Sequence, residues 1–152
     1  MELEVLCRSK ITRDLIGSLV EHYIEALNLG SSKYKLTVFT VVGMAKNEKA
    51  AGSVHIFGDK TLGLAIDSRL SVSMLMETLA HEMVHVKQIA RGQLKYVGKK
   101  IFWKGERVYP KKMSYYNHPW EIDAWRNEKV LASRVWYLFE KIGVTDKIKF
   151  GG

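Results

Sequence analysis

The segment Leu79-Ala80-His81-Glu82-Met83-Val84-His85 carries two histidines four residues apart, with a glutamate directly after the first. On a helix that spacing puts the imidazoles one turn apart on one face, where they can hold a single metal ion. Glu82 projects from the neighbouring position, toward a water on that ion. Five histidines and eleven glutamates placed at random in 152 residues would give H-E-x-x-H in about one such chain in a hundred, before helical context is required. Two ligands make a weak site, and a catalytic zinc ordinarily takes three protein ligands and keeps a position open. The stretch from Tyr115 to Trp125 offers the third. On a helix there, Glu121 shares a face with Ala124, Trp125, Glu128, Leu131, Ala132, Val135 and Phe139, whereas Asp123 falls on the side of Arg134 and Lys141. A carboxylate at the head of an apolar stripe needs a cation or several hydrogen bonds, because burying it unpaired is costly. Glu121 is therefore the better ligand; the alternative is an acid that only complements a helix N-terminus. Glu128 fits a salt bridge or a supporting acid behind the ligands.

Two helices must hold these groups. Residues 71–91 read as one, ending before Gly92, with Val72, Leu75, Met76, Leu79, Met83, Val86 and Ala90 as its apolar stripe. His81 and His85 project opposite that stripe beside Thr78 and Gln88, which takes them out of ordinary core packing. A third helix starts near Asn117-His118-Pro119, since proline suits the first helical position, and runs to about Ile142. Before them, residues 2–8 alternate as a half-buried strand with Cys7 as core filling. Ile11, Leu15, Leu19 and Tyr23 then give helical spacing up to Gly30. Residues 34–42, 53–57 and 61–66 read as strands, the last two joined by Gly58-Asp59-Lys60. His22 and His55 lie in this half and read as ordinary histidines. The expected class is α+β: a small mixed sheet packed on a metal-binding helix, a basic β-hairpin and a long C-terminal helix, in one domain spanning residues 1–152.

The length and a composition of 47% hydrophobic and 26% charged residues fit one folded domain and exclude a disordered or fibrous chain. No apolar run approaches the roughly 20 residues of a membrane span. The acidic start Met1-Glu2-Leu3-Glu4 lacks the features of an export signal, and one cysteine allows no internal disulfide, so a cytoplasmic location is expected. The net charge of +8 is concentrated. Between Val86 and Met113 nine basic residues (Lys87, Arg91, Lys95, Lys99, Lys100, Lys104, Arg107, Lys111, Lys112) face one acid, Glu106, and the rest of the chain sums to zero. Interleaved with Tyr96, Phe102, Trp103 and Tyr109, that stretch suits nucleic acid or an acidic partner, or is simply a solvated hairpin.

H-E-M-V-H-V-K-Q, followed some thirty residues later by P-W-E-I-D-A, resembles the small zincin metallopeptidases of the gluzincin type, including their minimal versions. The resemblance covers about half the chain and implies a zincin-like fold with one zinc ion held by His81, His85 and Glu121, the first acid of an E-x-x-A pattern ending at Ala124. It also implies peptide hydrolysis with Glu82 as general base, and an edge strand, expected at residues 61–66, that aligns an extended peptide. Many relatives carry an aspartate four residues after the third ligand that orients a metal-binding histidine. This chain has Trp125 there, so that support must come from another group. SprT-like proteases, which bind DNA and use a third histidine, fit in part; His118 is the one later histidine and ranks second as a ligand. Otherwise His118 shares with Tyr115 or Tyr116 a role in stabilising the oxyanion, while packing around the helix entry explains the tyrosines equally well. Three readings stay open: a zinc peptidase acting on protein or peptide, a zinc-stabilised module that binds nucleic acid or an acidic partner, and an enzyme whose tail, residues 145–152, covers its own cleft.

Overall fold

A computed structural model of the chain describes residues 1–44 and 50–141; the tail considered above lies outside them. The class is α+β, as expected. In chain order the elements are β1 (Glu2–Leu6), α1 (Lys10–Ala26), β2 (Lys35–Val41), β3 (Gly52–Gly58), β4 (Thr61–Asp67), α2 (Val72–Ala90), β5 (Leu94–Val97), β6 (Lys100–Trp103), β7 (Glu106–Val108) and α3 (Pro119–Lys141). Short 3-10 turns at Pro110–Lys112 and Tyr115–Asn117 lead into α3. Among the described residues no helix is long and apolar enough to cross a membrane.

The first sheet has the order β1-β2-β4-β3, with β1, β2 and β4 parallel and β3 antiparallel to β4. This corrects the expected edge. β2 and β4 pair over their full lengths, from Lys35 opposite Thr61 to Val41 opposite Asp67, so β4 is an interior strand and β3 is the edge. Burial agrees, since Leu62 through Asp67 are all buried while His55, Ile56 and Phe57 are exposed. Leu36, Val38, Leu62, Leu64 and Ile66 meet Leu15, Leu19, Val20 and Tyr23 of α1 and Leu75, Leu79 and Met83 of α2 in one apolar core. Tyr23 donates to the carbonyl of Met76 at 2.9 Å and ties the two helices together.

Both helix starts are set by serine. Ser9 and Ser71 each accept a hydrogen bond from the amide three residues on, at 3.3 Å, which satisfies a donor the helix leaves free. β1 ends at Leu6, so Cys7 falls past the strand and is half-buried rather than core, its carbonyl accepting from Arg13 at 3.0 Å. The basic segment is more than a hairpin. Lys87 belongs to α2, Arg91 caps it, and β5-β6-β7 form a three-stranded antiparallel sheet. Its register puts Leu94, Tyr96, Ile101, Trp103 and Val108 on one face and Lys95, Lys100, Phe102 and Arg107 on the other.

The face of α2 that carries the histidines is covered as well. α3 packs along it, and Glu82, His85 and Gln88 are buried, with Gln88 at 0% exposure. The helix therefore has a core on both sides, one apolar and one polar.

Candidate metal centre

α2 presents His81 and His85, and the first turn of α3 presents Glu121 across from them. His81 Nε2 lies 2.9 Å from Glu121 Oε1, His85 Nε2 lies 3.1 Å from the same oxygen, and the two Nε2 atoms are 3.2 Å apart. His81, His85 and Glu121 thus form a group whose ligand atoms could hold a metal ion. Three donors bound at about 2.1 Å around a tetrahedral ion are separated by roughly 3.4 Å, close to these edges.

The other ring nitrogens decide the protonation. His81 Nδ1 is 2.8 Å from Glu128 Oε2, and a carboxylate only accepts, so Nδ1 carries the hydrogen. His85 Nδ1 is 2.8 Å from Gln88 Oε1. The Gln88 amide is oriented by its own donors, because Nε2 gives one hydrogen to the carbonyl of Trp120 at 3.0 Å and the other to Asp123 Oδ2 at 2.8 Å. Both imidazoles, when neutral, therefore turn an Nε2 lone pair toward the Glu121 carboxylate. Three lone pairs this close, in a largely buried place, need positive charge among them, as protons or as a metal ion.

The electrostatics carry the same demand. Burial alone would lower the pKa of His81, but the hydrogen bond to Glu121 and the charges of Glu82, Glu121 and the Glu128 contact raise it to about 9. His85 is raised by Glu121 and Glu82 against the same opposing burial. Burial would raise Glu121, yet the two histidines lower it to about 2. Glu82 is raised by burial. Three carboxylates and two imidazoles thus make an acidic pocket that could hold a cation.

The cavity beside the triad, about 220 Å³, is lined by Gly52, Ser53 and Val54 of β3 together with Leu94 and Tyr96 of β5. Glu82 and Tyr115 also line it. Gly52 is a close approach: a Cβ there would lie 3.0 Å from Glu82 Cγ and from Thr78 Cγ2, and 3.3 Å from the Ala65 oxygen. Burial and Glu121 push the Tyr115 hydroxyl up to about 12. Tyr116 is 73% exposed and stacks on Trp125 at 5.6 Å. His118 stands apart from the triad. Its Nε2 is 3.2 Å from the carbonyl of Pro110 and its ring packs on Trp120 and Tyr115. His22 Nδ1 contacts the Ser18 carbonyl and His55 Nε2 contacts Ser53 Oγ, and neither ring belongs to the triad.

The sequence placed Asp123 away from Glu121, but α2 crosses the first turns of α3 broadly enough for Gln88 to reach it. Trp125, where the resemblance led us to look for an aspartate, tilts against His81 at 6.4 Å, and Glu128 holds the Nδ1 of that histidine instead. Gln88 escaped notice as a functional residue, although it stands three positions after His85, a spacing at which helical side chains meet. No family model matches the chain, and neither a curated protein nor a solved structure matches it.

Proposed function

We propose that the chain is a zinc-dependent peptidase. The observation that supports this best is the convergence of His81 Nε2, His85 Nε2 and Glu121 Oε1 beside a buried Glu82, in a cavity lined by β3, the edge strand of the first sheet among the described residues. Two nitrogen donors and one carboxylate are a donor set that suits zinc. Zinc held there would supply positive charge that polarises a peptide carbonyl and brings the pKa of a water down to about 7.

The remaining work belongs to the chain. β3, paired only with β4 among the described residues, offers its outer N–H and C=O groups to an extended peptide, which adds to the sheet as one more strand. Glu82, whose raised pKa brings it nearer neutrality, takes the proton of the attacking water and delivers it to the leaving amine. The Tyr115 hydroxyl stays protonated near neutral pH and is available to donate to the developing oxyanion. Glu128 and Gln88 fix the two imidazole rings with their Nε2 atoms inward.

Glu82→Gln tests the reading. Zinc content should remain while peptide cleavage falls by about 10²-fold or more, the usual contribution of a positioned general base. Cleavage at the parental rate by zinc-loaded Glu82→Gln would refute the proposal.

A second reading is favoured by the cations outside the centre, and in it zinc only ties α2 to α3 while the basic sheet docks on nucleic acid. Among the described residues none of the nine basic side chains between Val86 and Met113 is ion-paired with an acid. Several lie over aromatic rings instead, Lys104 over Trp103 at 5.3 Å and Arg107 over Tyr109 at 4.7 Å. Affinity for DNA that falls steeply as salt rises would support it, and salt-independent binding would not.

A further inference from the structure

The cavity at the metal centre does not stop there. A second cavity of about 530 Å³ shares Ile89, Leu94 and Tyr96 with it and follows β3 onward past Ile56 to Gly58. Together they form one groove. Two strands that line it lie at sheet edges: among the described residues β3 pairs only with β4, and β5 pairs only with β6. An extended segment lying in it would meet the edge backbone of these strands and the apolar side chains of Ile56, Ile89, Leu94 and Tyr96 along its length.

The far end is charged. Lys60, Arg91 and Lys95 line it against a single acid, Asp59. The Arg91 guanidinium is held by the carbonyl of Leu27 at 2.9 Å, and it has no acid partner among the described residues. Lys95 folds back over Gly92 at the same corner. From Ser53, beside the triad, to Gly58 is five residues of strand, about 17 Å at 3.3–3.4 Å per residue.

We infer that this groove binds extended peptide segments with an apolar residue near the metal centre and an acidic side chain about five residues away, selected by Lys60, Arg91 and Lys95. The inference rests on the peptidase reading for what is cleaved, but not for what is bound.

The test therefore reads binding. A fluorescein-labelled twelve-residue peptide with a central leucine and aspartates at both ends, and its asparagine counterpart, are titrated against zinc-loaded Glu82→Gln protein by anisotropy at low salt. The aspartate peptide should bind about five-fold more tightly, the scale expected for a few partly exposed ion pairs, and the difference should shrink as salt rises. In the Lys60→Glu/Lys95→Glu double variant the preference should vanish or invert. Equal affinity for the two peptides, binding of neither, or a preference that survives the charge reversal would overturn the inference. The Asp/Asn comparison on the Glu82→Gln chain stands even if the double variant folds poorly. Cleavage of the same peptides by the parental protein is scored separately, so a groove that binds acidic segments without cutting them would sink the peptidase reading alone.

Discussion

Gln88 is the side chain on which the arrangement of the centre turns, and its replacement by leucine is the sharpest perturbation available. The residue is fully buried and makes three hydrogen bonds: from His85 Nδ1 at 2.8 Å, to the Trp120 carbonyl at 3.0 Å and to Asp123 Oδ2 at 2.8 Å. Leucine has similar bulk, so cavity formation adds little. What changes is satisfaction. The His85 N–H and the Trp120 carbonyl lose their partner inside the protein, at about 1–3 kcal/mol each, whereas half-exposed Asp123 can turn to water. A total of about 2–6 kcal/mol, at roughly 2–4 °C per kcal/mol for a chain of this size, lowers the melting temperature of metal-free protein by about 4–24 °C. The His85 ring also loses the contact that fixes its tautomer, which should weaken zinc affinity by about 10- to 100-fold. Differential scanning fluorimetry in chelator and zinc titration against a competing indicator measure the two effects. Glu128→Gln is the matched control, because an amide oxygen can still accept from His81 Nδ1 and the position is partly exposed; it should cost far less on both scales. Gln88→Leu that melts and binds zinc like the parent would refute the assignment of Gln88 as the positioning residue for His85.

Further outcomes follow from the same contacts. Gly52→Ala should keep zinc but cut peptide cleavage by about 10-fold or more, since the new Cβ displaces Glu82 by a few tenths of an ångström and such misplacement is expensive in a preorganised site; unchanged turnover would place Glu82 outside the reaction. Glu121→Ala should abolish stoichiometric zinc, whereas His118→Ala, tied to Pro110 rather than to the triad, should retain it, and the reverse pattern in metal analysis would move the third ligand. For metal-free protein the pH dependence has two arms. His81, at 6.5 when unfolded and about 9 when folded, stabilises fully below about pH 6.5 and stops doing so as pH rises through 9, while Glu121, raised to 4.5 by unfolding from about 2, stabilises above about 4.5 and less as pH falls toward 2. The metal-free melting temperature should therefore peak between about pH 4.5 and 6.5 and decline toward pH 9. Saturating zinc, which requires neutral imidazoles, should remove that alkaline decline, and a flat metal-free profile from 6.5 to 9 would contradict the coupling.

Much of the frame was legible because it is written in local chemistry. Ser71 at the start of α2, Pro119 at the start of α3 and the periodic Leu75, Leu79 and Met83 each act within a turn or two of helix, so sequence distance and spatial distance agree. The order of the sheet was not legible in the same way. The turn at Gly58-Asp59-Lys60 joins β3 and β4, but which of the two lies at the edge depends on β2 pairing with β4 across more than twenty residues of chain. One signal was present: Leu62-Gly63-Leu64-Ala65-Ile66 is a near-continuous apolar run, the mark of a strand buried on both faces, whereas His55 interrupts β3.

The polar side of α2 shows the other limit. A helical wheel separates Leu79 and Met83 from His81, His85 and Gln88, and polarity then reads as exposure. In the fold that face meets α3, and its side chains are buried only because each has a partner there: Glu128 for His81, and Gln88 with Trp120 and Asp123 for His85. A polar interface of this kind is stable when every donor and acceptor is matched, and around these two rings the matching fails at one point. The Nε2 atoms and the Glu121 oxygen have no hydrogen to share once both rings are neutral. A cation bound there would make up that shortfall and join α2 to α3, so that removing it should loosen the same contact that positions Glu82.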